Sequence, residues 1–242
     1  MTTLTGRAAI VTGAASGIGA AIARRFAADG ALVCLSDVNR DGAEAVAKSI
    51  GGRAFAVETD VTREEAVQSL VDQAVHAFGR LDVMVNNAGI GEAATPIDEK
   101  SAAVWQRIID TNLTAVFYGI KHAARVMKPA GGGVIINVSS ILGSVAFNGA
   151  PAYTAAKHGV NGLTKAAALE LAPSKIRVVA VQPAFIRTPM IAGLEEQVLP
   201  LHPIGRLGES EDVASFVAFL ASDDASFVTG GGYLVDGGYT AQ

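Results

Sequence analysis

The chain has 242 residues, of which 50% are hydrophobic and 17% charged, and its formal net charge at pH 7 is -4. This length and composition suit one α/β domain, residues 1–242, that buries a whole sheet between layers of helices. The acidic balance, with no run of Lys or Arg, argues against a nucleic acid or an anionic membrane surface as a partner.

The cysteine, the histidines and the amino-terminal segment indicate what to expect of disulfides, metal binding and location in the cell. Cys34 is the only cysteine, so no disulfide forms within the chain, and its apolar neighbours favour a buried thiol. The four histidines lack a paired ligand spacing, so we expect no metal site. No signal-like segment opens the sequence, and no apolar stretch reaches membrane-spanning length. We therefore expect a cytoplasmic protein.

Short runs rich in Val, Ile and Leu alternate with longer Ala-rich stretches of helical spacing. The predicted strands include 8–11, 32–35, 83–85, 134–136 and 178–181. The predicted helices are 17–29, 40–49, 63–78, 101–127, 152–171 and 210–221, and Pro129 follows the end of the fourth. Continuous apolar strands alternating with helices are typical of a parallel sheet covered on both faces. With right-handed crossovers, this predicts a single-domain Rossmann-type α/β fold, a doubly wound parallel sheet.

The segment of about 184–208 interrupts this alternation. It carries Pro189, Pro200 and Pro203 with apolar residues between them. Proline-rich apolar segments of this length commonly cover binding sites, so we expect a lid over a substrate.

A glycine-rich turn, 12–19, follows the first strand and opens the first helix. Its glycines permit a tight turn and let backbone N–H groups approach a pyrophosphate at the positive helix end. The spacing Gly-x-x-x-Gly-x-Gly differs from the usual dinucleotide fingerprint, so by itself the turn is also compatible with a simple strand-to-helix connection. The residues that we expect to bind the cofactor here are Gly13, Ser16, Gly17, Ile18 and Gly19.

Asp37 ends the second strand, roughly 20 residues after the glycine-rich turn, where an acidic side chain meets the adenosine ribose hydroxyls. Its charge would repel a 2′-phosphate, which favours NAD(H) over NADP(H). Taken alone, Asp37 is equally compatible with a helix cap or a loop carboxylate.

Tyr153 and Lys157 are spaced i and i+4, so on a helix they share one face. Free tyrosine titrates near ~10, and a neighbouring ammonium or a positive nicotinamide ring lowers that pKa. We therefore predict a lowered pKa for Tyr153, which suits a general acid and base.

Ser139 and Ser140 follow a strand at the ligand-binding edge, and alternation along the strand leaves open which one faces the site.

The motifs Thr12-Gly13-x-x-x-Gly17-x-Gly19, Asn86-Asn87-Ala88-Gly89 and Tyr153-x-x-x-Lys157, with Asn112 and Ser140 between them, resemble the short-chain dehydrogenase/reductase family over the whole chain. The resemblance implies a catalytic set of Asn112, Ser140, Tyr153 and Lys157. In it, the spacing to Tyr153 selects Ser140, and Asn112 supports a water chain to Lys157.

The resemblance also implies further contacts to NAD beyond the glycine-rich turn and Asp37. Ala184 departs from the family pattern, which often has glycine there, so the nicotinamide pocket is expected to differ in detail. The implied contacts are Asp60, Val61, Asn87, Ala88, Gly89, Tyr153, Lys157, Pro183, Ile186 and Thr188.

These observations predict an enzyme that transfers a hydride between NAD(H) and a neutral, moderately hydrophobic secondary alcohol or ketone, with Tyr153 as acid/base. The apolar residues expected around the substrate are Ile141, Leu142, Val145, Phe147, Met190, Ile191 and Leu194. Two alternatives stay open: a 3-oxoacyl carrier-protein reductase or other carbonyl reductase, and an NAD-binding sensor or scaffold without turnover.

A homotetramer is the assembly that the resemblance implies, formed through the last strand and the long helices. Ala-rich faces at 123–124 and 166–168 would allow close packing between subunits, and packing on the chain's own sheet explains them equally well.

Overall fold

Residues 3–241 are described in the structure, a computed structural model. Within them, seven parallel strands form one sheet in the order β3-β2-β1-β4-β5-β6-β7. The strands are β1 (Ala8–Thr12), β2 (Leu32–Asp37), β3 (Ala54–Glu58), β4 (Val83–Asn86), β5 (Gly133–Val138), β6 (Ile176–Pro183) and β7 (Gly232–Val235). The strand order reverses between β1 and β4, which makes their carboxyl ends the binding edge. The predicted doubly wound α/β fold is confirmed.

Helices cover both faces of this sheet. They are α1 (Gly17–Ala28), α2 (Arg40–Ile50), α3 (Glu64–Phe78), α4 (Ala102–Ile109), α5 (Ala115–Ala130), α6 (Pro151–Leu171), α7 (Glu195–Val198) and α8 (Ser210–Ala221). One apolar core joins the sheet to α1, α2 and α8, and a second joins it to α3, α5 and α6. Neighbouring residues of β1 serve different cores, Ala9 the first and Ile10 the second, which is why the strand is apolar throughout.

The predicted buried thiol is found in the second core. Cys34 is fully buried, and burial raises the pKa of its thiol to about 12. A thiol held in its neutral form is a poor nucleophile, so Cys34 acts as a small apolar residue.

The fourth predicted helix, 101–127, is wrong in two details. A π-helical turn, Asp110–Thr114, separates α4 from α5, and the helix continues past Met127 to Ala130. Pro129 lies within the last turn, where its missing N–H removes only one helical hydrogen bond. Gly131, with φ of 93°, then ends the helix.

The expected lid contains short helices in place of a plain loop. Pro189–Ile191 and Leu199–Leu201 form 3₁₀ turns on either side of α7, and a bridge between Ile186 and Gly208 joins the two ends of the segment. No helix within residues 3–241 combines the length and apolarity needed to cross a membrane.

Candidate active site

A cleft of about 310 Å³ opens at the carboxyl ends of the strands. Most of the predicted site residues line it together: Gly13, Ser16, Gly17, Ile18, Gly19, Asp37, Asn87, Ala88, Gly89, Ser140, Tyr153, Lys157, Pro183, Ile186 and Thr188. The sequence interpretation did not assign the remaining lining residues to the cofactor: Val138, Ser139, Ala184, Pro189, Met190 and Ile191. These come mostly from strand ends and the lid, whose side chains carry no motif of their own.

Three predicted residues lie outside this lining. Asp60 is exposed, and its carboxylate accepts hydrogen bonds from the N–H and hydroxyl of Thr62. Val61 borders a separate small cavity beneath β4 and α5. Asn112 is fully buried behind the cleft wall.

The glycine-rich turn allows the backbone to pack closely at the start of α1. Gly13 has a φ of 66°, and a Cβ there would lie 2.8 Å from the Cα of Ala88. A Cβ on Gly19 would overlap the carbonyl oxygen of Gly13. Ser16 precedes α1 without capping it through its side chain. The positive helix end therefore borders the cleft with space for an anionic group.

The Asp37 carboxylate accepts hydrogen bonds from two backbone N–H groups. Its Oδ2 accepts a hydrogen bond from the N–H of Ala15 at 3.0 Å, and its Oδ1 accepts one from the N–H of Asn39 at 2.9 Å. Asn39, not Asp37, caps α2 by accepting from the N–H of Gly42. The helix-cap explanation of Asp37 is therefore wrong.

Thr12 and Asn87 join the ends of β1 and β4. The Thr12 hydroxyl oxygen accepts hydrogen bonds from the N–H groups of Asn87 and Ala88, both at 3.0 Å. In return, the Asn87 amide donates to the Thr12 carbonyl oxygen at 2.8 Å. This reciprocal pair fixes the cleft wall formed by residues 87–89 beside the glycine-rich turn.

Tyr153 and Lys157 lie on the first two turns of α6, as their i, i+4 spacing predicts. Nζ of Lys157 donates a hydrogen bond to the carbonyl oxygen of Val138 at 2.9 Å and lies 5.4 Å from the centre of the Tyr153 ring. The strand end of β5 thus holds the ammonium group against the phenol.

The two adjacent serines have different partners. The Ser139 hydroxyl donates to the backbone carbonyl of Lys157 at 3.2 Å, whereas the Ser140 hydroxyl lies beside the side chain of Tyr153 and lowers the pKa of that phenol. Ser140 also accepts from the N–H of Leu142. Ser140 is therefore the serine whose hydroxyl meets the tyrosine.

Burial shifts both ionisable groups toward their neutral forms. It raises the pKa of Tyr153 to about 12, against the opposing effect of the neighbouring Ser140 hydroxyl. It lowers the pKa of Lys157 to about 8. The pKa of Tyr153 is therefore raised by the protein's own groups, whereas we predicted that it would be lowered. Desolvation of the phenolate outweighs the effect of the Ser140 hydroxyl.

Asn112 lies in the π-helical turn between α4 and α5. Its Oδ1 accepts from the N–H of Ile90 at 3.1 Å, and its Nδ2 donates to the carbonyl of Ile90 at 3.0 Å. Ile90 directly follows the 87–89 wall, so the buried amide holds that wall from behind. A π-turn widens the helix locally and is frequent at functional sites.

A second, mainly apolar cavity of about 160 Å³ adjoins the cleft, and Ser140 and Tyr153 border both. Six of the seven predicted substrate contacts line it: Ile141, Leu142, Phe147, Met190, Ile191 and Leu194. Val145 does not. The sequence interpretation missed Phe185 and Glu92, which also line this cavity. No motif marks either residue, because only the folding of the lid and of the loop after β4 brings them there.

Comparisons with known proteins agree with this geometry. The family model described as enoyl-(acyl carrier protein) reductase matches residues 13–240. The chain is 52% identical to the cis-4-hydroxycyclohexanecarboxylate dehydrogenase of Sinomonas cyclohexanicum, covering 97% of each chain. It is 47% identical to the cyclohexanol dehydrogenase of Acinetobacter sp. (strain SE19), covering 98% of this chain and 96% of that one.

Among solved structures, the 3-ketoacyl-(acyl-carrier-protein) reductase of Brucella melitensis complexed with NADH superposes with a TM-score of 0.96. Its sequence is 38% identical, and the match covers 98% of this chain and 100% of that chain. The chain therefore belongs to the short-chain dehydrogenase/reductase family, and, like the similar dehydrogenases, it is an oxidoreductase that acts on CH–OH groups.

Proposed function

We propose that this protein transfers a hydride between NAD(H) and a neutral, moderately hydrophobic secondary alcohol or its ketone, with Tyr153 as the acid/base. The observation that carries the proposal is the position of Tyr153 and Ser140, which border both the long cleft and the apolar cavity. A reacting oxygen at that junction meets a hydroxyl pair that can hold it and exchange its proton.

Two features of the cleft support a dinucleotide. Gly13 and Gly19 line it at the start of α1, where backbone N–H groups suit a pyrophosphate, and the carboxylate of Asp37 suits the ribose hydroxyls of NAD(H). Residues 87–89 would flank the nicotinamide ribose, with Pro183, Ile186 and Thr188 beside the nicotinamide. Asp60 and Val61, which lie outside the cleft lining, would contact the adenine. When bound, the cofactor accepts the hydride in alcohol oxidation and supplies it in ketone reduction.

The protein's own residues move the proton. In oxidation Tyr153 accepts the proton of the alcohol hydroxyl, and in reduction its hydroxyl protonates the developing alkoxide. Ser140 holds the same substrate oxygen through its hydroxyl. Lys157 provides positive charge beside the phenol, and Asn112 supports a water path from Lys157 toward solvent.

The apolar cavity favours a small ring alcohol as substrate. At about 160 Å³ it is smaller than the ~300 Å³ typical of sites for drug-sized ligands. Its aliphatic and aromatic lining matches a saturated ring, and two similar proteins are named for cyclohexanol and a hydroxycyclohexane carboxylate. A carbonyl reductase acting on acyl carrier protein is the second candidate, favoured by the Brucella structure.

The testing experiment follows nicotinamide absorbance with cyclohexanol, related ring alcohols and ketones, a hydroxysteroid and a 3-oxoacyl thioester. Each substrate is run with NAD(H) and NADP(H), on the wild type and on Tyr153→Phe. We expect turnover of ring alcohols with NAD(H), and a fall of at least about 100-fold in kcat for the variant, because it lacks the transferable proton. Near-normal turnover by Tyr153→Phe would refute the mechanism, and preference for the thioester would favour the second candidate.

We also propose a homotetramer, on two supporting observations. The edge strand β7 and the segment before it expose Leu234 and Phe227 to solvent. On α6, Leu169 is exposed on the outer face. By contrast, four of the five alanines considered for helix contacts between subunits pack in the chain's own core: Ala123, Ala124, Ala167 and Ala168.

A further inference from the structure

Glu92 is a carboxylate buried between the substrate cavity and the start of α6. Its side chain has no exposed surface, and its Oε2 accepts a hydrogen bond from the backbone N–H of Tyr153 at 2.7 Å. Glu92 and Tyr153 are 61 positions apart in the sequence. Burying a charged carboxylate costs free energy unless the charge is paired and hydrogen-bonded. The partners of Glu92 therefore matter for its role beside the proposed acid/base.

Helix α6 lacks a cap from its own sequence. Ala150 precedes it and has no side chain that could accept a hydrogen bond, and Pro151 follows as the first helical residue. An alanine at this position leaves the first-turn N–H groups without the acceptor that Ser, Thr, Asn or Asp would supply. Glu92 supplies that acceptor from another part of the chain, with the negative charge that a helix amino terminus favours.

Lys100 compensates the charge of Glu92 and ties the surrounding loops together. Its Nζ lies 2.9 Å from Oε1 of Glu92, and only 6% of its side chain is exposed. The same Nζ donates to the carbonyl oxygens of Ala93 at 2.8 Å and of Gly149 at 3.2 Å. The ion pair therefore links residues 92–100, which carry part of the cavity wall, to Gly149, two residues before α6.

We propose that Glu92 is a positioning residue: by holding the backbone N–H of Tyr153, and with Lys100 anchoring it, it sets the place of the Tyr153 hydroxyl between the cofactor cleft and the substrate cavity. This inference rests on the proposed function of Tyr153. Small displacements of a reacting group lower a rate steeply, by about 100-fold for about 1 Å. The effect should therefore appear in kcat more than in cofactor binding.

Two double variants isolate the hydrogen bond to Tyr153. Removing one partner alone would leave an unpaired buried charge, which is strongly destabilising. Glu92→Gln/Lys100→Met removes both charges and keeps an amide oxygen that can accept from Tyr153. Glu92→Leu/Lys100→Met removes both charges and the acceptor. The two proteins thus differ in the acceptor, at similar side-chain size.

We expect the Gln/Met protein to keep kcat within about threefold of the wild type. The Leu/Met protein should lose at least about tenfold in kcat, with the Kd for NADH, measured by fluorescence, changed less than about twofold. Equal kcat values in the two folded double variants would overturn the proposal. So would a loss in the Leu/Met protein that lies wholly in NADH affinity.

Amide hydrogen exchange tests the same contact without turnover. The chain has four tyrosines, so labelling with ¹⁵N-tyrosine gives few amide signals, and Tyr153→Phe identifies the one required. In the wild type this amide should be protected, and in the Leu/Met protein it should exchange at least about tenfold faster than in the Gln/Met protein. An unprotected Tyr153 amide in the wild type would overturn the proposal even if the Leu/Met variant failed to fold. Full turnover by Tyr153→Phe would instead refute the proposed function.

Discussion

Tyr153 and Lys157 have pKa values displaced by burial toward their uncharged forms, to about 12 and about 8. Alcohol oxidation needs deprotonated Tyr153, so its rate should rise with pH, whereas ketone reduction needs the protonated form and should fall. Above a pH of about 8 Lys157 itself loses its proton, and with it the charge that favours phenolate. The pair therefore sets opposite pH dependences for the two directions.

We predict that Lys157→Met lowers kcat/KM for alcohol oxidation most at pH values below about 8, where Lys157 keeps its proton in the wild type. Its ammonium lies 5.4 Å from the centre of the Tyr153 ring and favours the phenolate there, and the variant lacks this charge. The ratio of kcat/KM in the variant to that in the wild type, followed across pH at saturating NAD, measures the effect. A ratio that stays constant through a pH of about 8 would show that Lys157 does not assist Tyr153 electrostatically.

Asp37 should determine the choice between NAD(H) and NADP(H). We expect Asp37→Ala to lower the ratio of kcat/KM for NAD to that for NADP by roughly 10- to 100-fold, since charge-assisted hydrogen bonds contribute about 1.5–3 kcal/mol. Asp41→Ala is the matched control, because this nearby exposed carboxylate lies in the first turn of α2 and does not line the cleft. If both variants change the ratio equally, net charge and not the position of Asp37 sets the preference.

The π-helical turn Asp110–Thr114 places a buried amide behind the cleft wall, and its effect on stability can be separated from its effect on the site. Asn112 makes two hydrogen bonds to Ile90. Asn137, in β5 and outside the cleft lining, also makes two, accepting from Asn86 at 2.8 Å and donating to Thr164 at 2.9 Å. The two amides are therefore a matched pair.

We predict that Asn112→Leu and Asn137→Leu each lower the free energy of unfolding by about 1–3 kcal/mol, because each orphans buried polar partners. Only Asn112→Leu should also lower kcat, by about tenfold, since it releases the wall formed by residues 87–89. Urea denaturation and turnover at a temperature where both variants are folded measure the two effects. Equal kcat losses would attribute the role of Asn112 to stability alone.

Five of the seven strands within residues 3–241, most helices and most of the cleft could be predicted because they depend on local patterns. Helix α8 was predicted at its observed limits, Ser210–Ala221, and β1 within one residue. The π-turn could not be predicted, since its widened hydrogen bonding has no distinct residue preference. Nor could the contact from Glu92 to Tyr153, because it joins distant segments, or the pKa of Tyr153, because desolvation depends on packing that a spacing does not report.

The edge of the sheet formed by β7 favours an assembly of several subunits. An uncovered strand edge with exposed apolar side chains promotes uncontrolled pairing, so such edges are usually covered or blocked by charge. Leu234 in β7 is 47% exposed, and Phe227, in the turn that precedes β7, is wholly exposed. Covering this surface with another subunit would remove both apolar groups from water.

We predict that the wild type sediments at four times the mass of the 24.7 kDa chain. Phe227→Ser/Leu234→Glu should halve that mass, because a charge at the strand edge opposes pairing. Ile97→Ser is the matched control: Ile97 is 77% exposed but lies in the loop between β4 and α4, and its variant should remain tetrameric. Sedimentation velocity separates the three species. A wild-type monomer would refute the tetramer, and a tetrameric double variant would place the subunit contacts away from β7, on the outer faces of the long helices.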